Sequence, residues 1–130
     1  MRTGSILIAL AATLLLPLPS ARANVGCVDH HFSFVPNGRT YVAAHTRMGQ
    51  PCQMGFGIRG SNIETLRILV RPSHGVLGSS AQEANRRYIA YVPSAGFIGR
   101  DRFEVHIQYM PPGIPRSLTT WIDVEMNVTP

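Results

Sequence analysis

Residues 91–109 read Tyr91-Val92-Pro93-Ser94-Ala95-Gly96-Phe97-Ile98-Gly99-Arg100-Asp101-Arg102-Phe103-Glu104-Val105-His106-Ile107-Gln108-Tyr109. From Phe103 onward the stretch alternates: Phe103, Val105, Ile107 and Tyr109 share one face, while Glu104, His106 and Gln108 share the other. Period two carried by aromatic and β-branched residues marks a strand with one buried side. A second alternating run follows, with Leu118, Thr120, Ile122, Val124 and Met126 on its apolar side. Between them, Pro111-Pro112-Gly113-Ile114-Pro115-Arg116 extends neither strand, because proline lacks the N–H a ladder needs. The pair reads as a long antiparallel hairpin.

Upstream the alternation returns in shorter pieces. Val28, His30, Phe32 and Phe34 share a face before the turn Pro36-Asn37-Gly38, and Thr40 to Ala44 predicts a short edge strand. Cys52, Met54, Phe56 and Ile58 alternate with Gln53, Gly55 and Gly57, and two glycines on one face invite a close neighbour. Leu66, Ile68 and Val70 alternate with Arg67, Leu69 and Arg71. Val76 to Ser80 predicts a short strand, Ala81 to Asn85 a loop or single helical turn, and Arg87 to Val92 a further strand. About seven short strands with turn signals every 8–12 residues predict an all-β chain, an immunoglobulin-like antiparallel β-sandwich.

Composition agrees with one turn-rich domain. Among 130 residues there are 12 glycines and 10 prolines, and only 15% of residues are charged, which excludes a highly charged disordered chain. Every one of the 12 basic residues is arginine. Arg2, the apolar run Ile6 to Leu18 and the small-x-small site Ala21-Arg22-Ala23 predict a signal peptide over residues 1–23, too short to span a bilayer. Domain 24–130 then carries ten arginines against seven acids, a net charge of +3. An exported chain of such weak charge excludes nucleic acid as a partner and needs no membrane insertion after leader cleavage. The expected location is secreted or periplasmic.

Cys27 and Cys52 are the two cysteines, and an even count in an exported chain predicts one disulfide. It would close a loop of about 25 residues, stabilising by roughly 3–4 kcal/mol in the chain-entropy model. Two other uses of these residues compete with it. Cys27 as a lipid anchor would want an apolar residue three positions earlier, where Asn24 stands. Met48, Cys52 and Met54 with His30, His31 and His45 offer soft ligands for Cu(I), although Met54 shares the apolar face of Phe56. The expectation is no cofactor and no metal.

From Arg71 onward the chain resembles the bacterial cadherin-like, immunoglobulin-like domains found as tandem repeats in large surface proteins. The residues that carry this are Pro72-Ser73-His74-Gly75-Val76, then Tyr91-Val92-Pro93, then Gly96-Phe97-Ile98-Gly99-Arg100-Asp101-Arg102-Phe103, and the ending Val124 to Pro130. The resemblance covers about 60 mature residues and implies the fold, with an adhesive role following only loosely because fold does not fix function. Calcium, which such arrays bind through clustered acids, is not expected, since no D-x-D or D-x-N-D-N occurs. Each matched residue has a structural role to play. Gly75 and Gly96 would permit turns. Tyr91 would seek a hydroxyl partner at a corner, Asp101 would accept backbone N–H groups to shape 99–103, and Phe103 would start the core face.

No catalytic residues are expected. The chain lacks a G-x-S-x-G elbow, and paired cysteines leave no thiol nucleophile. If the hairpin is symmetric about 111–116, then Tyr109 faces Leu118, His106 faces Trp121, Gln108 faces Thr119, Glu104 faces Asp123 and Arg102 faces Glu125. The single tryptophan then stands on the polar face, and Trp121, His106 and Gln108 form the candidate recognition patch for a protein or glycan. Glu104 opposite Asp123 would repel unless Arg102 or a cation lies between them. The expected function is a non-enzymatic exported module, binding or structural, at the bacterial cell envelope. Its alternatives are a periplasmic copper-binding protein and an accessory subunit of an envelope complex.

Overall fold

The computed structural model describes Cys27 and residues 35–57, 60–83 and 86–130. The leader 1–23, the face from Val28 to Phe34, and Ile58 lie outside the described residues. Seven strands follow in order: β1 (Arg39–Arg47), β2 (Cys52–Gly57), β3 (Asn62–Val70), β4 (Gly75–Glu83), β5 (Arg86–Pro93), β6 (Gly99–Met110) and β7 (Leu118–Thr129). They form a four-stranded sheet ordered β1-β7-β6-β3 and a three-stranded sheet ordered β2-β5-β4. This is an immunoglobulin-like β-sandwich in which the first strand joins the edge of the last strand rather than pairing with the second.

The alternation of each strand explains the layering. In β6, Phe103, Val105, Ile107 and Tyr109 are buried, and in β7 so are Leu118, Thr120, Ile122, Val124, Met126 and Val128. From the opposite sheet Cys52, Met54, Phe56, Ile89 and Tyr91 close onto them in one hydrophobic cluster. Gly55 faces Tyr88 across the β2–β5 pair, and a β-carbon there would lie 3.1 Å from the tyrosine ring. The glycine-rich side of β2 is therefore a seat for an aromatic neighbour.

Three expectations need correction. β1 is a nine-residue strand rather than a short one, and it pairs with β7 in parallel, from Arg39↔Trp121 to Arg47↔Thr129. Alternation within a strand carries no information about its partner's direction, so the sandwich is not wholly antiparallel. Second, β4 continues through Ala81 to Glu83, because a register shift between Ser79 and Gln82 absorbs the irregularity without ending the strand. Third, β3 has irregularities between Ile63 and Thr65 and between Ile68 and Val70. The second one moves Val70, which is 38% exposed, opposite Glu104 and away from the face of Leu66 and Ile68.

Candidate functional site

The outer face of the four-stranded sheet carries the side chains singled out as a patch. The β6–β7 register pairs His106 with Trp121, Gln108 with Thr119, Glu104 with Asp123, Arg102 with Glu125 and Tyr109 with Leu118. The His106 and Trp121 rings are tilted at 40° with centroids 5.1 Å apart, and both residues are half-buried. Gln108 and Thr119 stand one pair further along, also half-buried. Two neighbouring strands widen the row: β1 sets Arg39 beside Trp121, and β3 sets Arg67 beside His106. The row therefore reads Arg39, Trp121, His106, Arg67 across four strands.

β1 is held there by its preceding turn. Asn37 N donates to Thr119 O at 2.7 Å, and Trp121 N donates to Gly38 O at 3.0 Å. Asn37 adopts φ 51°, a conformation asparagine tolerates better than most residues. The turn fastens β1 alongside β7 and delivers Arg39 to the face.

Glu104 and Asp123 are buried, at 8% and 6% exposure, despite their place on this face. Two arginines cover them. Arg39 Nη1 lies 2.8 Å from both Glu104 Oε1 and Asp123 Oδ2. Arg102 Nη2 lies 3.4 Å from Glu104 Oε2 and also pairs with Asp123 Oδ1. Hydrogen bonds to Glu104 first and Asp123 second raise the pKa of Arg39 further, so it stays cationic. The two facing carboxylates are thus neutralised within the chain, and they call for no cation or partner. Arg102 was the expected bridge; Arg39 was missed, because it arrives from 84 residues away on a parallel strand.

The residues of the cadherin-like motif gather at one end of the sandwich. Asp101 is buried and accepts four hydrogen bonds: from Ser73 N, His74 N, Arg102 N and Tyr91 Oη, each at 2.9 Å. Burial opposes its charge, but the donors outweigh burial, and its pKa is held below the usual aspartate value. Burial, and then the bond to Asp101, push the Tyr91 hydroxyl well above the ordinary tyrosine value. Asp101 chiefly ties the β3–β4 connection to β6, whereas the expectation gave it only the shape of 99–103. His74 stacks flat on Phe97, centroids 4.3 Å apart, and its carbonyl accepts from Ser94 N at 2.8 Å. Pro93 closes β5 in a buried position, and Phe103 begins the buried face of β6.

The glycines of that motif divide by cause. Gly96 has φ +76°, a conformation that favours glycine, as expected. Gly99 has φ +136° and sits against the Phe97 ring. Gly75 needs no unusual φ. A β-carbon there would come within 2.6 Å of Tyr91 Cε2 and 2.7 Å of Val92 O, so its requirement is space for the tyrosine.

Cys27 and Cys52 are bonded, with Cα atoms 5.3 Å apart. The disulfide suits an oxidising compartment. Of the soft ligands considered for Cu(I), Cys52 is spent in that bond, Met54 lies in the core and Met48 is exposed in the turn after β1, while His30 and His31 lie outside the described residues. Among the described residues no helix is long and apolar enough to cross a membrane.

No protein-family model matches the chain, and no curated protein matches it. Among solved structures it is similar to an endo-fucoidan hydrolase from glycoside hydrolase family 107, at 13% identity and TM-score 0.44 over 71% of this chain. It spans only 13% of that hydrolase. It is also similar to a cysteine protease inhibitor from Entamoeba histolytica, at 12% identity and TM-score 0.33, over 67% of this chain and 95% of the inhibitor. Neither is named as a cadherin-like domain, and at these scores neither likeness bears on what this chain does.

Proposed function

We propose that the chain is a non-enzymatic module exported to the bacterial cell envelope, where it recognises a protein or glycan through the outer face of its four-stranded sheet. The observation that carries this reading is the tilted His106–Trp121 pair, flanked by Gln108 and Thr119 on the central hairpin. An aromatic ring offers apolar contact to a sugar face or a partner side chain, while imidazole and amide groups supply directional hydrogen bonds. The two long strands beneath hold these groups at fixed spacing, and the Arg39/Arg102 cage over Glu104 and Asp123 makes a rigid, neutral shoulder. The disulfide and the leader-like residues 1–23 support export. The cadherin-like resemblance supports a binding role within the same fold.

The test is a glycan array together with cross-linking capture from envelope extracts, comparing the wild-type chain with Trp121→Ala and His106→Ala. A defined ligand that is bound by wild type and lost by both folded variants supports the reading. Identical ligand profiles for wild type and variants would sink it.

A further inference from the structure

The two sheets separate along the side where β3 and β4 form their edges, and a cavity of about 520 Å³ opens there. Both edge strands are irregular at this place, with register shifts in β3 and in β4 between Ser79 and Gln82. The cavity floor is apolar: Leu66 and Ile68 on the core-facing side of β3, and Ile89 from β5. Its rim is basic, formed by Arg67 and Arg71, both exposed.

Among the described lining residues the charges are not balanced. Arg87 is committed, since its Nη2 donates to Ile63 O at 2.7 Å. Glu64, the acid among the described lining residues, accepts from Ser117 Oγ at 2.7 Å. Neither Arg67 nor Arg71 makes an ion pair or hydrogen bond among the described residues. An apolar strip of Leu66, Ile68 and Ile89, set among Thr65 and Tyr88 with free guanidinium groups at the mouth, matches a ligand with an apolar body and one anionic end. The volume lies within the few hundred Å³ usual for small-molecule sites, about 300–1,000 Å³. A guanidinium fork favours a planar carboxylate as that end.

We propose that this cavity binds a free single-chain carboxylate amphiphile, its chain along Leu66, Ile68 and Ile89 and its head at Arg67 and Arg71. The cavity shares Arg67 with the outer-face row but takes neither Trp121 nor His106, so shifts at Leu66, Ile68 and Ile89 are read independently of that patch. The test titrates laurate, below its aggregation concentration, into the isotope-labelled, disulfide-bonded chain, with lauryl alcohol as the uncharged control. Saturable shifts at Leu66, Ile68 and Ile89 are expected, with laurate bound more tightly than the alcohol. The Arg67→Gln/Arg71→Gln double variant should bind laurate about tenfold more weakly, the scale of a lost solvent-screened charge-assisted contact, and leave the alcohol unaffected. Ile68→Trp, which fills the space, should abolish both. Absence of binding, equal affinity for acid and alcohol, shifts on another surface, or an unchanged laurate affinity in the double variant would each overturn the proposal. The arginines are exposed, so the double variant remains informative if Ile68→Trp fails to fold.

Discussion

Asp101 shows how one side chain can hold a corner of a sandwich. Its Oδ1 accepts from Ser73 N and Arg102 N, and its Oδ2 accepts from His74 N and Tyr91 Oη. Asp101→Asn keeps the first oxygen and turns an amide N–H₂ toward two donors, so it should cost about 2–3 kcal/mol at neutral pH. Urea denaturation against pH checks the cause. Because the folded carboxyl has a lowered pKa, its contribution is complete above the unfolded value of about 4 and disappears as pH falls through the folded value below it. The wild-type and Asp101→Asn stabilities should therefore converge as pH drops below about 4. A gap that stays constant in acid would show that the charge is not what Asp101 contributes. Gly75→Ala tests the neighbouring contact. Its methyl would press on the Tyr91 ring and on the immobile Val92 carbonyl, and a loss of about 2 kcal/mol in the same denaturation assay is expected. The sequence motif marked both residues, but the sequence does not disclose that Gly75 serves Tyr91's volume, because the contact is diagonal across the β4–β5 ladder and depends on its register.

At the scale of elements, the β6–β7 hairpin was legible in full. A symmetric loop and two alternating runs determine which residues face each other, and the observed register pairs His106 with Trp121 as that reasoning requires. The neighbours of the hairpin were not legible. β1 lies parallel to β7, so no hairpin loop between the two fixes its register, and Arg39 reaches the carboxylates through the β1–β7 ladder and the Asn37 and Gly38 contacts that start it. β3 loses its phase at bulges that no glycine or proline announces, so alternation alone puts Val70 on the face of Leu66 and Ile68, which it leaves in the fold. The candidate site was accordingly half readable: the ring pair and Gln108 came from the hairpin, while Arg39 and Arg67 came from partners that only the fold assigns. The cage predicts a coupling. With either Arg39 or Arg102 present, one guanidinium still bridges Glu104 and Asp123; with both gone, the carboxylates face each other unshielded. In a double-mutant cycle by urea unfolding, Arg39→Met/Arg102→Met should lose more stability than the two single variants summed. Simple additivity would mean that the acids are already screened by water.

For the whole molecule, the decisive question is what the link from Cys27 to Cys52 contributes to the sandwich. Cys27 is 8% exposed and Cys52 is fully buried at the start of β2, where it pairs with Tyr91. Among the described residues, His45 N also donates to Cys27 O at 3.4 Å. The covalent link thus reaches the core beside the same tyrosine that Asp101 holds from the other end, so Tyr91 lies between two constraints. A domain of this size buries a modest core, and a cross-link over 25 positions removes loop entropy from its unfolded chain. Cys27→Ala/Cys52→Ala should remain folded, because the β1–β7 ladder and the shared core do not need the bond, but should lose about 3 kcal/mol. That corresponds to a melting midpoint lower by roughly 15 °C for a domain near 100 residues. Reductant should lower the wild-type midpoint by a similar amount and leave the double variant unmoved. A double variant as stable as wild type would show that the disulfide contributes nothing to the stability of the sandwich. A reductant effect on the double variant would instead show that the wild-type shift is not a disulfide effect at all.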